Sequence, residues 1–350
     1  MKSTTPRRGM AAVLTLIAGV ASSLALSSPA LAAGESYVAL GDSYSSGTGT
    51  RTYINDGTTC QRSVYAYPSL DAAALSLSLT FRACSGAKVA DVTNTQLSAL
   101  SSTTRFVTIS VGGNDAGFAD VLTECAKPAW MSNCNGAIDN AQYIINNILP
   151  GRLSTLYASI KSKAPNAKVI VVGYPRIFNG EDCNALTWFS PTEESRLNAT
   201  ADLLNSRTAT QASYKAFSFV NPTNRFIGHA VCDSIEWING LSNPISESYH
   251  PNIAGHRDGY AYLTKPVFGV AVTSTASARL SASSIEADAR RFTAVDRTIT
   301  PERFVAPDLA SAEAKQAAAA VGVDLSSRAS IDRADRIWSE RQAAEHAARS

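Results

Sequence analysis

Two patterns of apolar and polar positions alternate along the chain. Short apolar runs occur at Tyr37-Val38-Ala39-Leu40, Leu79–Ala83, Phe106-Val107-Thr108-Ile109-Ser110-Val111, Lys168-Val169-Ile170-Val171-Val172-Gly173 and Phe217–Val220. Runs of this length, several of them rich in β-branched residues, predict buried strands. Longer stretches between them read as helices. Tyr65–Leu77 is rich in Ala and Leu, and Ala137–Lys163 carries Ile138, Ile145, Ile148, Leu153, Leu156 and Ile160 at helical spacing, with Pro150-Gly151 interrupting it. Thr192–Ser213 follows Ser190-Pro191 and has Glu193 in its first turn, a helix-start signature. Asn252–Leu263 also reads as helical. Strand–helix alternation of this kind predicts an α/β fold of three layers, with helices on both faces of a central parallel sheet.

The pattern changes at both ends. Lys2, Arg7 and Arg8 precede an apolar run from Ala11 to about Leu26, and Ala30-Leu31-Ala32 follows as a small-residue cleavage site. Residues 1–32 therefore read as a secretory signal peptide. The apolar run is shorter than the roughly 20 residues a membrane span needs, and it contains Ser22 and Ser23. No later segment is long and apolar enough to span. From about Val272 the chain turns rich in Ala, Arg, Asp, Glu and Ser, with few large aliphatics. Ala314–Val321 and Asp324–Arg349 have helical composition, but the apolar density is too low for an independent core. The expected organisation is a signal peptide over 1–32, a main α/β domain over 33–271 and a flexible or partly helical extension over 272–350.

Composition narrows the partners and the compartment. A net charge of +2 provides no basic surplus for nucleic acid. The six cysteines, an even count behind a leader, point to three disulfides in an exported protein. Fifteen connectivities are possible for six cysteines. The sequential one, Cys60–Cys84, Cys125–Cys134 and Cys183–Cys232, closes the shortest loops and is the expectation. A metal site is disfavoured, because the chain has no C-x-x-C pair and its spacings do not suit zinc.

Candidate chemistry begins at Gly41-Asp42-Ser43-Tyr44-Ser45-Ser46-Gly47, directly after the first strand. Gly, Asp and Ser are ordinary turn residues, so a plain strand-ending turn is one reading. The other is a nucleophile at the carboxyl edge of the sheet, where α/β folds expose reactive side chains. A serine hydroxyl needs a base. Of the four histidines, His250 lies on a turn-rich loop before the last helix, followed by Pro251. His256 falls within that helix, His229 lies near Cys232, and His346 lies in the extension. Glu247 could orient His250 through its side chain or its backbone carbonyl. Oxyanion donors are available at two further strand ends: Gly86 in Ser85-Gly86-Ala87, and Asn114 in Gly112-Gly113-Asn114-Asp115.

Together, Gly41-Asp42-Ser43, Gly86, Gly112-Gly113-Asn114-Asp115 and the late His250 resemble the GDSL family of SGNH hydrolases, in particular the secreted lipases, esterases and phospholipases of actinomycetes. The resemblance spans about Ser36 to Phe268 and implies a flavodoxin-like SGNH hydrolase fold. It implies Ser43 as nucleophile, His250 as base, and an oxyanion hole from the Ser43 backbone, Gly86 and Asn114. It also implies the sequential disulfide pairing. Two points depart from related patterns. The nucleophile elbow G-x-S-x-G of ordinary α/β-hydrolases is absent around Ser43. The family usually has Asp three residues before the histidine, where this chain has Glu247. Related actinomycete enzymes can use a backbone carbonyl there. Asp42 is expected to shape the turn. The implied activity is secreted hydrolysis of carboxylic esters through an acyl-enzyme, with no metal or cofactor. Lipid or acyl esters are the expected substrates, phospholipids included, and carbohydrate acetyl esters are the alternative. A non-catalytic envelope-binding module is the rival of another class; it would have no physical reason to keep Ser43, Asn114 and His250 together. A monomer is expected. The resemblance says nothing of residues after about 272.

Overall fold

A computed structural model of the chain describes residues 1–4, 34–271, 280–301 and 303–349. The leader expectation falls almost wholly on 5–33, outside the described residues. Gly34–Ser350 forms one compact unit.

Its centre is a five-stranded sheet, β1 (Ser36–Gly41), β2 (Ser78–Phe81), β3 (Phe106–Ser110), β4 (Lys168–Val172) and β5 (Ser218–Val220). Every pairing is parallel and the order is β2-β1-β3-β4-β5. β3 is buried along its whole length, as expected of a strand covered on both faces. Its one mid-strand polar side chain is satisfied, since Thr108 Oγ1 and Tyr37 Oη lie 2.7 Å apart. The helices are α1 (Ser43–Ser46), α2 (Tyr67–Leu75), α3 (Val89–Asp91), α4 (Phe118–Cys125), α5 (Cys134–Asn147), α6 (Leu149–Lys163), α7 (Pro191–Ser213), α8 (Ala261–Phe268), α9 (Ala282–Ala289), α10 (Thr293–Asp296), α11 (Ala312–Val321) and α12 (Arg328–Ala347). Pro150 ends the single predicted helix early: it stands in the first turn of α6, so α5 and α6 are separate elements. α7 begins with the predicted cap, Ser190 Oγ accepting from the Glu193 amide while the Glu193 carboxylate accepts from the Ser190 amide. The three disulfides are Cys60–Cys84, Cys125–Cys134 and Cys183–Cys232.

This strand order is the flavodoxin-like one, and it reverses direction between β1 and β3. That switch point opens a crevice at the carboxyl ends of the two strands, where Ser43 and Asn114 follow. The end of β1 is fixed unusually well. The Gln96 side chain donates to the Gly41 carbonyl at 2.9 Å and accepts from the Gly41 amide at 2.7 Å, so both buried backbone groups are paired.

The extension, expected to be flexible or partly helical, forms helices that lie on the domain. Residues 280–349 carry α9 to α12 and pack on the catalytic domain, with Ile285, Ile299, Phe304, Ala314, Ala318 and Ile331 buried. α9 lies against the sheet-edge strand β2. The segment needs no core of its own because several of its apolar side chains, Ile285, Ile299 and Phe304 among them, are buried in the domain's core. Polar anchors do the rest, and the deepest is Asp296. Its carboxylate accepts from Arg62 at 2.5 Å and from Arg82 at 2.8 Å through each oxygen, and all three side chains are fully buried.

Candidate active site

Asp42 follows β1 and caps α1, accepting from the Tyr44 amide at 3.1 Å. Ser43 is thereby the first helical residue, with its hydroxyl turned into the crevice. The Asp42 carboxylate also accepts from Ser110 Oγ at 2.8 Å and from Tyr174 Oη at 2.5 Å. Burial pushes its acid up to about 6, with the Tyr174 and Ser110 donors pulling the other way. All three of its partners are donors within the scaffold, so Asp42 acts on the shape of the turn.

The base arrives from the far end of the domain. His250 Nε2 lies 2.9 Å from Ser43 Oγ, and its Nδ1 lies 2.9 Å from the Ser248 carbonyl oxygen. A carbonyl oxygen can only accept, so Nδ1 carries the proton and Nε2 is free to accept the serine hydroxyl. Burial lowers His250 to about 4, opposed by the Ser248 hydrogen bond. Tyr249, just before it, holds φ at +61°, a left-handed conformation costly for a bulky residue. Tyr44 Oη donates to the Tyr249 carbonyl at 2.8 Å, and Phe178, Phe189 and Phe304 surround its ring. The Tyr44 bond ties the nucleophile turn to the base loop, two segments 205 residues apart in sequence.

Glu247 does not orient His250 by either route foreseen from the sequence. Its carboxylate is turned away, accepting from Tyr53 Oη at 2.8 Å and pairing with Arg51 at 3.4 Å. Its backbone carbonyl accepts from the His250 backbone amide and from Asn239 Nδ2, at 3.4 Å each. The acceptor for Nδ1 is one residue later, at Ser248. A short helical turn over Ile245–Glu247 swings the Glu247 side chain toward the Arg51–Tyr53 loop.

Gly86 and Asn114 line the same crevice as Ser43 and His250. Gly86 holds φ at +83°, and the neighbouring Cys84 is bonded to Cys60. Among the described residues no acceptor takes the Ser43 or Gly86 amide hydrogens. Asn114 donates through Nδ2 to the Ala87 carbonyl at 3.1 Å, which leaves its second N–H available. From this polar end the cavity continues between α4, α5 and α7, walled by Phe118, Leu122, Ile145, Ile177, Ala201 and Leu204. The remaining histidines lie elsewhere. His256 is buried, its Nδ1 accepting from the Tyr67 amide at 3.3 Å, and His229 stacks on Trp237 at 3.7 Å between ring centres. The sequence reading missed Ser248, whose contribution is a carbonyl any residue would supply. It also missed Tyr44 and Tyr174, and Pro301, Arg303 and Phe304 of the extension, which line the cavity as well.

A parallel sheet whose switch point holds a serine–histidine pair at the head of an apolar cavity defines the class, a carboxylic ester hydrolase with the three-layer SGNH fold. Residues 39–257 match the GDSL-like Lipase/Acylhydrolase family, and the chain belongs to that family. It is 44% identical to Lipase 1 of Streptomyces coelicolor, covering 72% of this chain and 94% of that protein. Among solved structures it is similar to the extracellular lipase of Streptomyces rimosus, at 38% identity and a TM-score of 0.63 over 67% of this chain and all of that one. Phospholipase A1 from Streptomyces albidoflavus NA297 is similar to the same degree, at 39% identity and a TM-score of 0.63 over 67% of this chain and 99% of that one.

Proposed function

We propose that the protein is an exported lipase or esterase that cleaves lipid acyl esters through a Ser43–His250 dyad. The observation that carries this reading is the 2.9 Å contact between Ser43 Oγ and His250 Nε2 at the mouth of an apolar cavity. Ser43 Oγ attacks the ester carbonyl while His250 Nε2 takes its proton. The Ser43 and Gly86 amides and the Asn114 amide group receive the oxyanion, each donor contributing roughly 3–4 kcal/mol in the transition state. His250 then gives the proton to the leaving alcohol. Water repeats the sequence on the acyl-enzyme, with His250 taking the proton from water. The Ser248 carbonyl holds the imidazole tautomer without supplying a negative charge.

The six apolar residues beyond the polar end suit an acyl chain better than a sugar, which favours lipid esters, phospholipids included, over carbohydrate acetates. Three disulfides and the leader-like composition of residues 1–32 support export. Ser43→Ala is expected to fold normally and to lose about 10⁴–10⁶-fold in kcat on p-nitrophenyl esters. A variant with more than a tenth of the wild-type rate would overturn the assignment. The rate across acetyl to palmitoyl esters should rise beyond acetyl, and a maximum at acetyl would favour the carbohydrate esterase.

A further inference from the structure

The catalytic cavity has a wall that the family-matched segment, residues 39–257, does not supply. After α10 the extension crosses the mouth, and Pro301, Arg303 and Phe304 line it beside Ser43, Gly86 and His250. The approach to Gly86 is close. A Cβ built on Gly86 would lie 2.4 Å from Pro301 Cα, so the proline rests directly on the glycine. Phe304 is buried edge-on against the Tyr249 ring, with centres 4.9 Å apart.

This crossing is pinned on both sides. Upstream, Asp296 holds buried Arg62 and Arg82, Thr293 Oγ1 donates to the Asp56 carbonyl at 3.1 Å, and Ile299 is buried. Downstream, the Val305 amide donates to Thr123 Oγ1 on α4 at 2.9 Å. Beyond it, Asp335 and Asp332 accept from the Ala129 amide and from Trp188 Nε1. Lifting the strap would take from Arg82 the carboxylate of Asp296 and the Phe292 ring that covers its guanidinium. So anchored, the strap is a wall and not a door.

We propose that Pro301, Arg303 and Phe304 form a specificity-determining wall, which admits straight acyl groups and turns away esters branched beside the carbonyl. The proposal rests on the reading of Gly86 as an oxyanion donor. A donor amide stands about 3 Å from the developing oxyanion, so what rests on Gly86 also crowds substituents on the carbon next to the carbonyl. Arg303 is exposed, and shortening it opens the rim without disturbing packed contacts. Pro301 and Phe304 set the depth.

The test compares kcat/KM for p-nitrophenyl hexanoate with that for its branched isomer, p-nitrophenyl 2-ethylbutyrate, in the full-length protein. Pro301→Gly, Phe304→Ala and Arg303→Ala are expected to lower the linear-to-branched ratio by at least fivefold, most strongly for Pro301→Gly. A ratio within twofold of wild type in Pro301→Gly and Arg303→Ala, both folded by circular dichroism, overturns the proposal. So does an equal rise on both esters, the mark of a strap that merely obstructs entry. Arg303→Ala keeps the test decisive if Phe304→Ala fails to fold. Failure of the Ser43 assignment would instead show in wild-type and Ser43→Ala rates on the hexanoate alone.

Discussion

At the scale of single residues, the proposed dyad pairs a neutral histidine with a neutral acceptor, the Ser248 carbonyl. Among the described residues nothing anionic contacts the His250 ring, so burial, opposed by the Ser248 hydrogen bond, takes it down to about 4. A protonated His250 cannot accept the Ser43 proton, so activity is lost as pH falls through that value and is complete above it. The acid limb of kcat/KM should have its midpoint near 4, well below the 6.5 of an ordinary imidazole, in a buffer series where circular dichroism shows the fold intact. A midpoint at 6.5 or above would mean a solvated or carboxylate-paired base. Glu247 provides the second residue-scale check. Because its carboxylate engages Tyr53 and Arg51, Glu247→Gln should change kcat by less than about tenfold. A carboxylate member of a triad would cost about 10⁴-fold, and a loss of that size would show that it swings to His250 during turnover.

Element by element, the sequence was most legible where one local rule governs one segment. The β3 run Phe106–Ser110 reads as a buried strand because its two polar side chains are both paired, Thr108 with Tyr37 inside the sheet and Ser110 with Asp42 and Ser45 at its edge. The start of α7 is legible because Ser190, Pro191 and Glu193 carry the cap between them. Ser43, Gly86 and Asn114 were readable for the same reason, since each sits just past a strand on a glycine-containing turn. Legibility fails where the determining contact is remote or carried by backbone. The carbonyl of Ser248 leaves no trace in side-chain identity, and whether Glu247 points toward or away from His250 depends on Tyr53, 194 residues away. The strap was hidden differently. Residues 280–349 look solvated by composition, yet composition averages over exposed and contact positions, and Ile285, Ile299 and Phe304 are all contact positions.

For the whole molecule, those contacts decide how many folding units the chain has. If the extension were an appendage, Asp56 would be the one carboxylate among the described residues left to Arg62 and Arg82, and it bonds Arg62, at 2.6 Å. Two buried guanidinium groups around one carboxylate is a costly arrangement, and Asp296 resolves it by accepting from both. The extension is therefore part of the domain's own charge balance. Asp296→Asn keeps the shape and removes the charge. It should cost about 3–5 kcal/mol of unfolding free energy, read from urea denaturation with the disulfides intact. The same variant should still unfold in one transition together with the catalytic domain, because the extension has no core with which to unfold separately. The double variant Arg82→Met/Asp296→Leu removes both charges at once and should recover part of the loss, since an apolar pair of similar volume replaces a buried ion pair at little net cost. A loss below about 1 kcal/mol in Asp296→Asn, or an early transition confined to the extension, would show that the domain balances its arginines without it.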